Sequence, residues 1–301
     1  MASWRANTQE KYGTYINQWL SFCERQGINY LLATTNDGLC FLTEVYNKGR
    51  HYHTVAAARS ALSAILPLEN GLPFGERPLV SKFVKGVANI RPPLPKYTSV
   101  WSVNTLFDYF RGMDDNDRLS LKDLTYKVTS LLCLVLCQRA QTIHSFHTTC
   151  IKITQEGAHI GFPTVLKTTR PGRHLKPIFI PVYPSDIKLC PVNALAMYLD
   201  KTKVIRGTEE KLLISFVSPH KAVTSKTVSR WLKMMLLNAG IDISIFQGHS
   251  LRAAGSSQAK LSGVPIANIL QMAGWATAKT FATHYDKPII VKDITQAILS
   301  T

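Results

Sequence analysis

The chain has 301 residues, long enough for two domains of ordinary size, each with its own core. Lys and Arg number 35 against 19 acidic residues, a net charge of +16 and a pI near 9.7, so the protein's field favours a polyanion: DNA, RNA or an anionic membrane surface. The membrane is set aside, because the longest apolar run, "SLLCLVLC", falls well short of the roughly 20 residues that a spanning helix needs. The opening "MASWRANTQEKYG" also lacks the apolar stretch of a secretory signal.

In chain order, "TQEKYGTYINQWLSFCERQ" (8–26) sets Tyr12, Tyr15, Ile16, Trp19, Leu20 and Cys23 at helical steps, with Asn7 and Glu10 in capping-box positions. "HTVAAARSALSAIL" (53–66) and "PLVSKFVKGVANI" (78–90) repeat the pattern, the latter predicting an apolar face of Leu79, Phe83, Val87 and Ile90. Residues 1–90 therefore read as an all-helical domain. The three prolines of "RPPLPKY" (91–97) make a stiff linker, and a second domain follows over 98–301.

That second domain opens on the acidic "MDDNDR", a solvated turn, followed by a buried helix through "LTYKVTSLLCLVLCQRAQ". Two strand-like stretches come next, "TCIKITQEGAHIGF" and "TVLKTTRPGRHLKPIFIPV", with turns at Glu156-Gly157 and Pro171-Gly172. Helices are predicted near 191–200, 224–238, 249–262, 265–273 and 277–285, with an apolar-periodic tail helix over 289–300. The fold class is thus mainly α with a small antiparallel β-sheet.

The cysteines, Cys23, Cys40, Cys133, Cys137, Cys150 and Cys190, include no C-x-x-C pair and read as reduced thiols of an intracellular protein. Cys133 and Cys137 make at most half of a metal site. Within their apolar run they behave as small hydrophobes. No G-x-x-x-x-G-K-[ST] loop, G-x-G-x-x-G turn or calcium loop is present, so no metal or cofactor is expected.

Polar residues in awkward places mark a candidate site. Arg139 directly follows "LLCLVLCQ", where a guanidinium either meets an anion or caps helix carbonyls. In "GHSLRAAGSSQ", His249 and Arg252 lie one turn apart where a helix begins, an arrangement suited to a phosphate with an imidazole at hand, or to a solvated basic helix start. Gly248 lets backbone approach a ligand closely. Downstream, "MAGWATAKTFATHYDKP" contributes Trp275 and Tyr285.

The ordered set of Arg139, a lysine-bearing hairpin, His249-x-x-Arg252, Trp275 and Tyr285 resembles the tyrosine recombinase, or phage-integrase, family over essentially the whole chain. At finer grain, "RPPLPKYTSVWSV", "KTTRPGRHLKPIFIP" and "FATHYDKPI" look like recombinases of DIRS-like retrotransposons. The resemblance implies a helical core-binding domain joined to a catalytic domain, a C-shaped clamp on DNA, and recombination or integration through a covalent 3′-phosphotyrosine. It assigns the nucleophile to Tyr285, the two arginines to Arg139 and Arg252, the histidine to His249 and the hairpin lysine to Lys167 rather than Lys176, with Trp275 donating its indole N–H or walling the pocket. Thr142 departs from the family, which commonly has an acid there, and Gln141 or His144 are the residues that could stand in.

In that chemistry the arginine forks hold the non-bridging oxygens of a five-coordinate phosphorus, and His249 takes the Tyr285 proton. Lys167 protonates the departing 5′ oxygen. Basic residues exceed acids by 11 to 6 before Thr98 and by 24 to 13 from there on, so both domains suit double-stranded DNA. Arg59, Lys82, Lys85, Arg170, Arg173 and Arg230 are candidate phosphate contacts. The family also implies a homo-tetramer on paired duplexes, and the expected location is intracellular, in the nucleus. A second reading is a DNA-binding protein that kept the fold and lost the chemistry.

Overall fold

The computed structural model describes Trp4, residues 6–162 and residues 177–290. The chain divides into two compact units, Met1–Pro95 and Lys96–Thr301. Among the described residues, no helix is long and apolar enough to cross a membrane.

The first unit contains α1 (Ala6–Gln26), α2 (Thr35–Asn47), α3 (Tyr52–Ser63) and α4 (Pro78–Ile90), with a 3₁₀ turn at Phe74–Glu76. Its core centres on Trp19, stacked on Phe22 at 5.6 Å and edge-on to Phe41 at 5.4 Å. Helix α1 starts at Ala6, so Asn7 lies within the helix and is not the N-cap of the expected capping box. A full capping box instead opens α2, a helix the sequence reading passed over: Thr34 accepts from the Asp37 backbone and Asp37 answers to Thr34. Gly38 of α2 is needed there, since a Cβ would stand 2.3 Å from the Phe74 ring.

Helix α4 corrects another expectation. Its buried face is Val80, Val84 and Val87, whereas Leu79 is 61% and Ile90 71% exposed. Val87 is common to the expected and observed faces and Phe83 packs partly buried against the core, so the apolar stripe is rotated towards Val80 and Val84, leaving Leu79 and Ile90 outside it.

The second unit is organised around α6 (Leu121–Val135), which follows α5 (Val103–Gly112) and is buried on every side from Leu124 to Leu134. Helix α5, N-capped by Ser102, was also missed; its buried Val103, Leu106 and Phe110 follow the helical period. Helix α6 does not continue to Gln141. It closes with the Cys137 N–H on Leu134 O (3.2 Å) and the Gln138 N–H on Cys133 O (3.2 Å), with Cys137 left-handed at φ 49°. The chain then re-enters a helix, α7 (Ala140–His144).

Three antiparallel strands follow, β1 (Ile151–Ile153), β2 (Gly157–Ile160) and β3 (Ile178–Pro181), in the order β1-β2-β3. Ile151 pairs with Ile160, and Ile160 with Ile178. Gly157 sits where a Cβ would meet Ile180 O at 2.2 Å. The expected turn at Pro171-Gly172 lies outside the described residues. Helices α8 (Pro191–Thr202), α9 (Ser225–Asn238), α10 (Ser250–Leu261), α11 (Ile266–Ala273) and α12 (Ala278–His284) complete the unit. Helices α8, α9 and α10 all pack on α6.

Of the expected tail helix 289–300, only Ile289 and Ile290 fall within the described residues, and they are extended. Ile289 bridges Val100, with Val100 N–H on Pro288 O (2.8 Å) and Ile290 N–H on Val100 O (2.6 Å). An isolated bridge thus ties the Ile-Ile pair to Val100, and the rest of the expected tail helix lies outside the described residues.

Candidate active site

The site forms where α6 ends, α10 begins and α12 ends. The reversal at Cys137 turns Arg139 into the residue preceding α7, with extended backbone (φ −77°, ψ 149°). It does not cap α6: the Cys133 and Leu134 carbonyls are already taken by the Gln138 and Cys137 amides. Close packing brings α10 to this corner. A Cβ on Gly255 would lie 2.4 Å from Leu134 O. Gly248 has the same purpose on the other side, since a Cβ there would meet Leu232 Cβ at 2.8 Å and Ser229 O at 3.1 Å. Its lack of a side chain therefore serves contact with α9, not the approach of a ligand that the sequence suggested.

Arg252 is the centre of the arrangement. Its side chain is 1% exposed, and one nitrogen, Nη2, donates to Ala273 O at 2.8 Å. Nε and Nη1 are buried with no hydrogen-bond partner. The guanidinium lies 4.3 Å from the Trp275 ring and 5.1 Å from the Tyr285 ring. Burial, with the Arg139 charge adding to it, pulls the Arg252 pKa down to about 10. None of the ion pairs among the described residues involves Arg139 or Arg252.

His249 stands at the rim, edge-on to Tyr285 with ring centroids 6.0 Å apart. His249 is exposed, yet partial desolvation by the surrounding corner, followed by the charges of Arg252, Arg139 and Lys96, pushes its pKa below the ordinary value. Tyr285, 7% exposed, ends α12 and lies on Trp275 at 4.5 Å. A cavity of about 210 Å³ is lined by Arg139, Gln141, Ser229, His249 and Arg252 among others. Three cationic or titratable nitrogen groups, Arg139, His249 and Arg252, converge here, and among the described residues no carboxylate lines the cavity, so the corner suits an anion with two or more oxygens.

The structure therefore brings Arg139, His249, Arg252, Trp275 and Tyr285 together. Lys167, Lys176, Arg170 and Arg173 lie outside the described residues. Thr142 is buried on α7, while Gln141 is exposed and reaches the cavity wall. His144 donates to the Val223 backbone, away from the cavity lining, and burial lowers its pKa. Of the other basic candidates, Lys82, Lys85 and Arg230 are exposed. Arg59 is half-buried beside the Phe74–Glu76 turn, with Nη1 on Gly75 O at 3.5 Å.

Several residues were invisible in the sequence. Trp101 donates its indole N–H to Ser250 Oγ at 2.9 Å, fixing the start of α10. Gln138 donates to Met272 O, and with Arg252 holds the last carbonyls of α11. Tyr97, whose pKa is raised by burial and by Tyr285, packs on Phe246 at 5.5 Å. The local signals for Tyr97 and Trp101 were the aromatics of "KYTSVW" at and just after the proline linker, and Gln138 had none.

No protein-family model matches the chain. No curated protein matches it either. Solved structures do. XerH recombinase bound to its difH substrate before cleavage is similar over 97% of this chain and 78% of its own, at 10% identity and a TM-score of 0.61. A lambda integrase (75–356) dimer on a COC′ core site covers 95% and 90%, at 16% identity and a TM-score of 0.55. A lambda integrase tetramer on a Holliday junction covers 97% and 75%, at 17% identity and a TM-score of 0.54. The mainly helical chain with its three-stranded sheet thus has the tyrosine recombinase fold.

Proposed function

We propose that the protein is a site-specific DNA recombinase that breaks and rejoins strands through Tyr285. The observation that carries this reading is Arg252: a guanidinium buried against two aromatic rings, with Nε and Nη1 unpartnered and no acid nearby, is costly unless an oxyanion occupies the site. A phosphodiester fits. Tyr285 Oη forms a bond to phosphorus while the bond to the 5′ oxygen breaks; His249 takes the phenol proton, and Arg139 and Arg252 hold the non-bridging oxygens. Lys167 delivers the proton to the leaving oxygen. The phosphoester bond is conserved in the 3′-phosphotyrosine, so rejoining needs no nucleotide hydrolysis.

The fold adds to this reading, because solved structures that share it carry DNA as dimers and tetramers. The two basic units would clasp duplex DNA, and the active assembly would be a tetramer on two duplexes. Integration or excision of a mobile element of the DIRS-like retrotransposon kind is the biological setting we infer, for which the nucleus is the compartment. The rival, a DNA-binding protein of this fold without chemistry, rests on Thr142, which supplies no charge where the family commonly has an acid.

The test is a nicked duplex selected by the protein from a randomised pool, incubated in EDTA and resolved under denaturing conditions. A covalent protein–DNA adduct is expected from the wild type and none from Tyr285→Phe. A wild type that binds DNA without forming an adduct decides for the rival, and an adduct from Tyr285→Phe moves the nucleophile to another tyrosine such as Tyr97.

A further inference from the structure

Two neighbouring serines of α10 behave differently. Ser256 Oγ bonds back to Arg252 O at 2.8 Å, the usual resort of a hydroxyl inside a helix. Ser257, only 4% exposed, instead turns its hydroxyl outward: Oγ donates to Tyr285 O at 2.8 Å and accepts from Lys287 N at 3.1 Å. The two bonds straddle Asp286, whose carboxylate is held in turn by Lys260, one turn further along α10. The amides of Tyr285 and Asp286 both end on Phe281 O, at 2.8 and 2.9 Å. Every backbone group from Tyr285 N to Lys287 N that is fixed is therefore fixed either by the end of α12 or by Ser257.

From this geometry we infer that Ser257 is a positioning residue for the Tyr285 nucleophile, and that α10 acts as a rigid ruler. Its first turn, with His249 and Arg252, places the phosphate; its third turn, with Ser257 and Lys260, places the segment carrying the attacking oxygen. The distance between nucleophile and phosphorus is then set within one helix instead of by the chain that follows α12 alone. The inference rests on the reading of Tyr285 as nucleophile. Without the Ser257 hydroxyl, Tyr285 O and Lys287 N–H lose their shared partner and the segment is free to shift, and a shift of about 1 Å at a reacting atom slows a reaction by roughly 100-fold.

The experiment compares wild type, Ser257→Ala and Ser257→Thr on the same nicked duplex, measuring single-turnover adduct formation at saturating DNA and, separately, binding affinity. Ser257→Ala should form adduct about 10- to 100-fold more slowly with affinity within about threefold of wild type, and Ser257→Thr, which keeps the hydroxyl, should recover most of the rate. Amide exchange at Lys287 should quicken in Ser257→Ala and not in Ser257→Thr. An alanine variant as fast as wild type, or a threonine variant no better than alanine, overturns the inference. If Ser257→Ala gives no cooperative melt, Lys260→Met takes its place: slower adduct formation with unchanged affinity supports the ruler, and an unchanged rate overturns it. Failure of the wild type to form any adduct is a different outcome, which removes the proposed function itself.

Discussion

The guanidinium of Arg252 lies 5.1 Å from the ring of Tyr285, and both are almost fully buried although neither has an acidic partner. A buried charge of this kind is retained against stability, so its removal separates folding from chemistry. Arg252→Met is expected to leave the melting temperature unchanged or raised while adduct formation falls by about 100- to 1,000-fold. Calorimetry beside the adduct assay checks both halves; a variant that is both destabilised and fully active would show that Arg252 is a packing residue.

The His249 shift gives a pH dependence with a definite sign. Its pKa in the folded protein is below the ordinary value of about 6.5, so between the two values the unfolded chain binds more protons and stability falls as pH drops through that window. The neutral, proton-accepting imidazole likewise persists below pH of about 6.5. The acid limb of kcat/KM for adduct formation should therefore lie below that pH, and His249→Ala should lose the limb along with most of the rate. A limb that persists unchanged in His249→Ala assigns it to another group.

Lys127 offers a stability test away from the site. It is 0% exposed on α6, its Nζ has no hydrogen-bond partner, and it lies 5.7 Å from the Phe110 ring. Burial lowers its pKa to about 8. A lysine with a depressed pKa destabilises the fold at neutral pH, and the penalty fades as pH rises from about 8 towards the unfolded value near 10.4. Lys127→Met should stabilise by about 1 to 4 kcal/mol at pH 7. Urea titrations at pH 7 and at high pH should show the gain shrinking; an equal gain at both would mean that charge has no part in it.

Gly255→Ala should cost about 1 to 3 kcal/mol and slow adduct formation too. The added Cβ meets Leu134 O at 2.4 Å, a backbone atom at the very end of α6, so relief requires α10 to move away from the turn that carries Arg139. Thermal melts and adduct rates should fall together. A variant with wild-type values in both would mean that the two helices are not held in register at this point.

Truncation after Ile290 keeps the Val100 bridge and removes only residues 291–301. If that segment docks into a neighbouring subunit on DNA, the shortened chain should bind a single half-site normally and lose cooperativity on paired sites, as read by gel-shift titration. Unchanged cooperativity with normal cleavage would place the tail on its own domain.

The kinds of residue at the site, and the stretches that hold them, are legible in local sequence. Arg139 after an apolar run, His249 and Arg252 one turn apart, and Trp275 and Tyr285 downstream are local patterns, and helical periodicity located six of the eight helices described in the second unit, all but α5 and α7, because spacing is a property of neighbouring residues. Packing against α2 and α3 is what rotates the buried stripe of α4 towards Val80 and Val84 and leaves Leu79 and Ile90 exposed. Tertiary structure also decided that α6 stops at Val135: a left-handed Cys137 has no local signature, as cysteine is not the residue that usually takes that conformation. Gly248 and Gly255 acquire their meaning only from backbone atoms of α9 and α6. Ser257, in the same way, looks like any small polar residue of a helix until the fold brings Tyr285, 28 positions away, onto its hydroxyl. Such pairings join groups distant in sequence, and no local period encodes them.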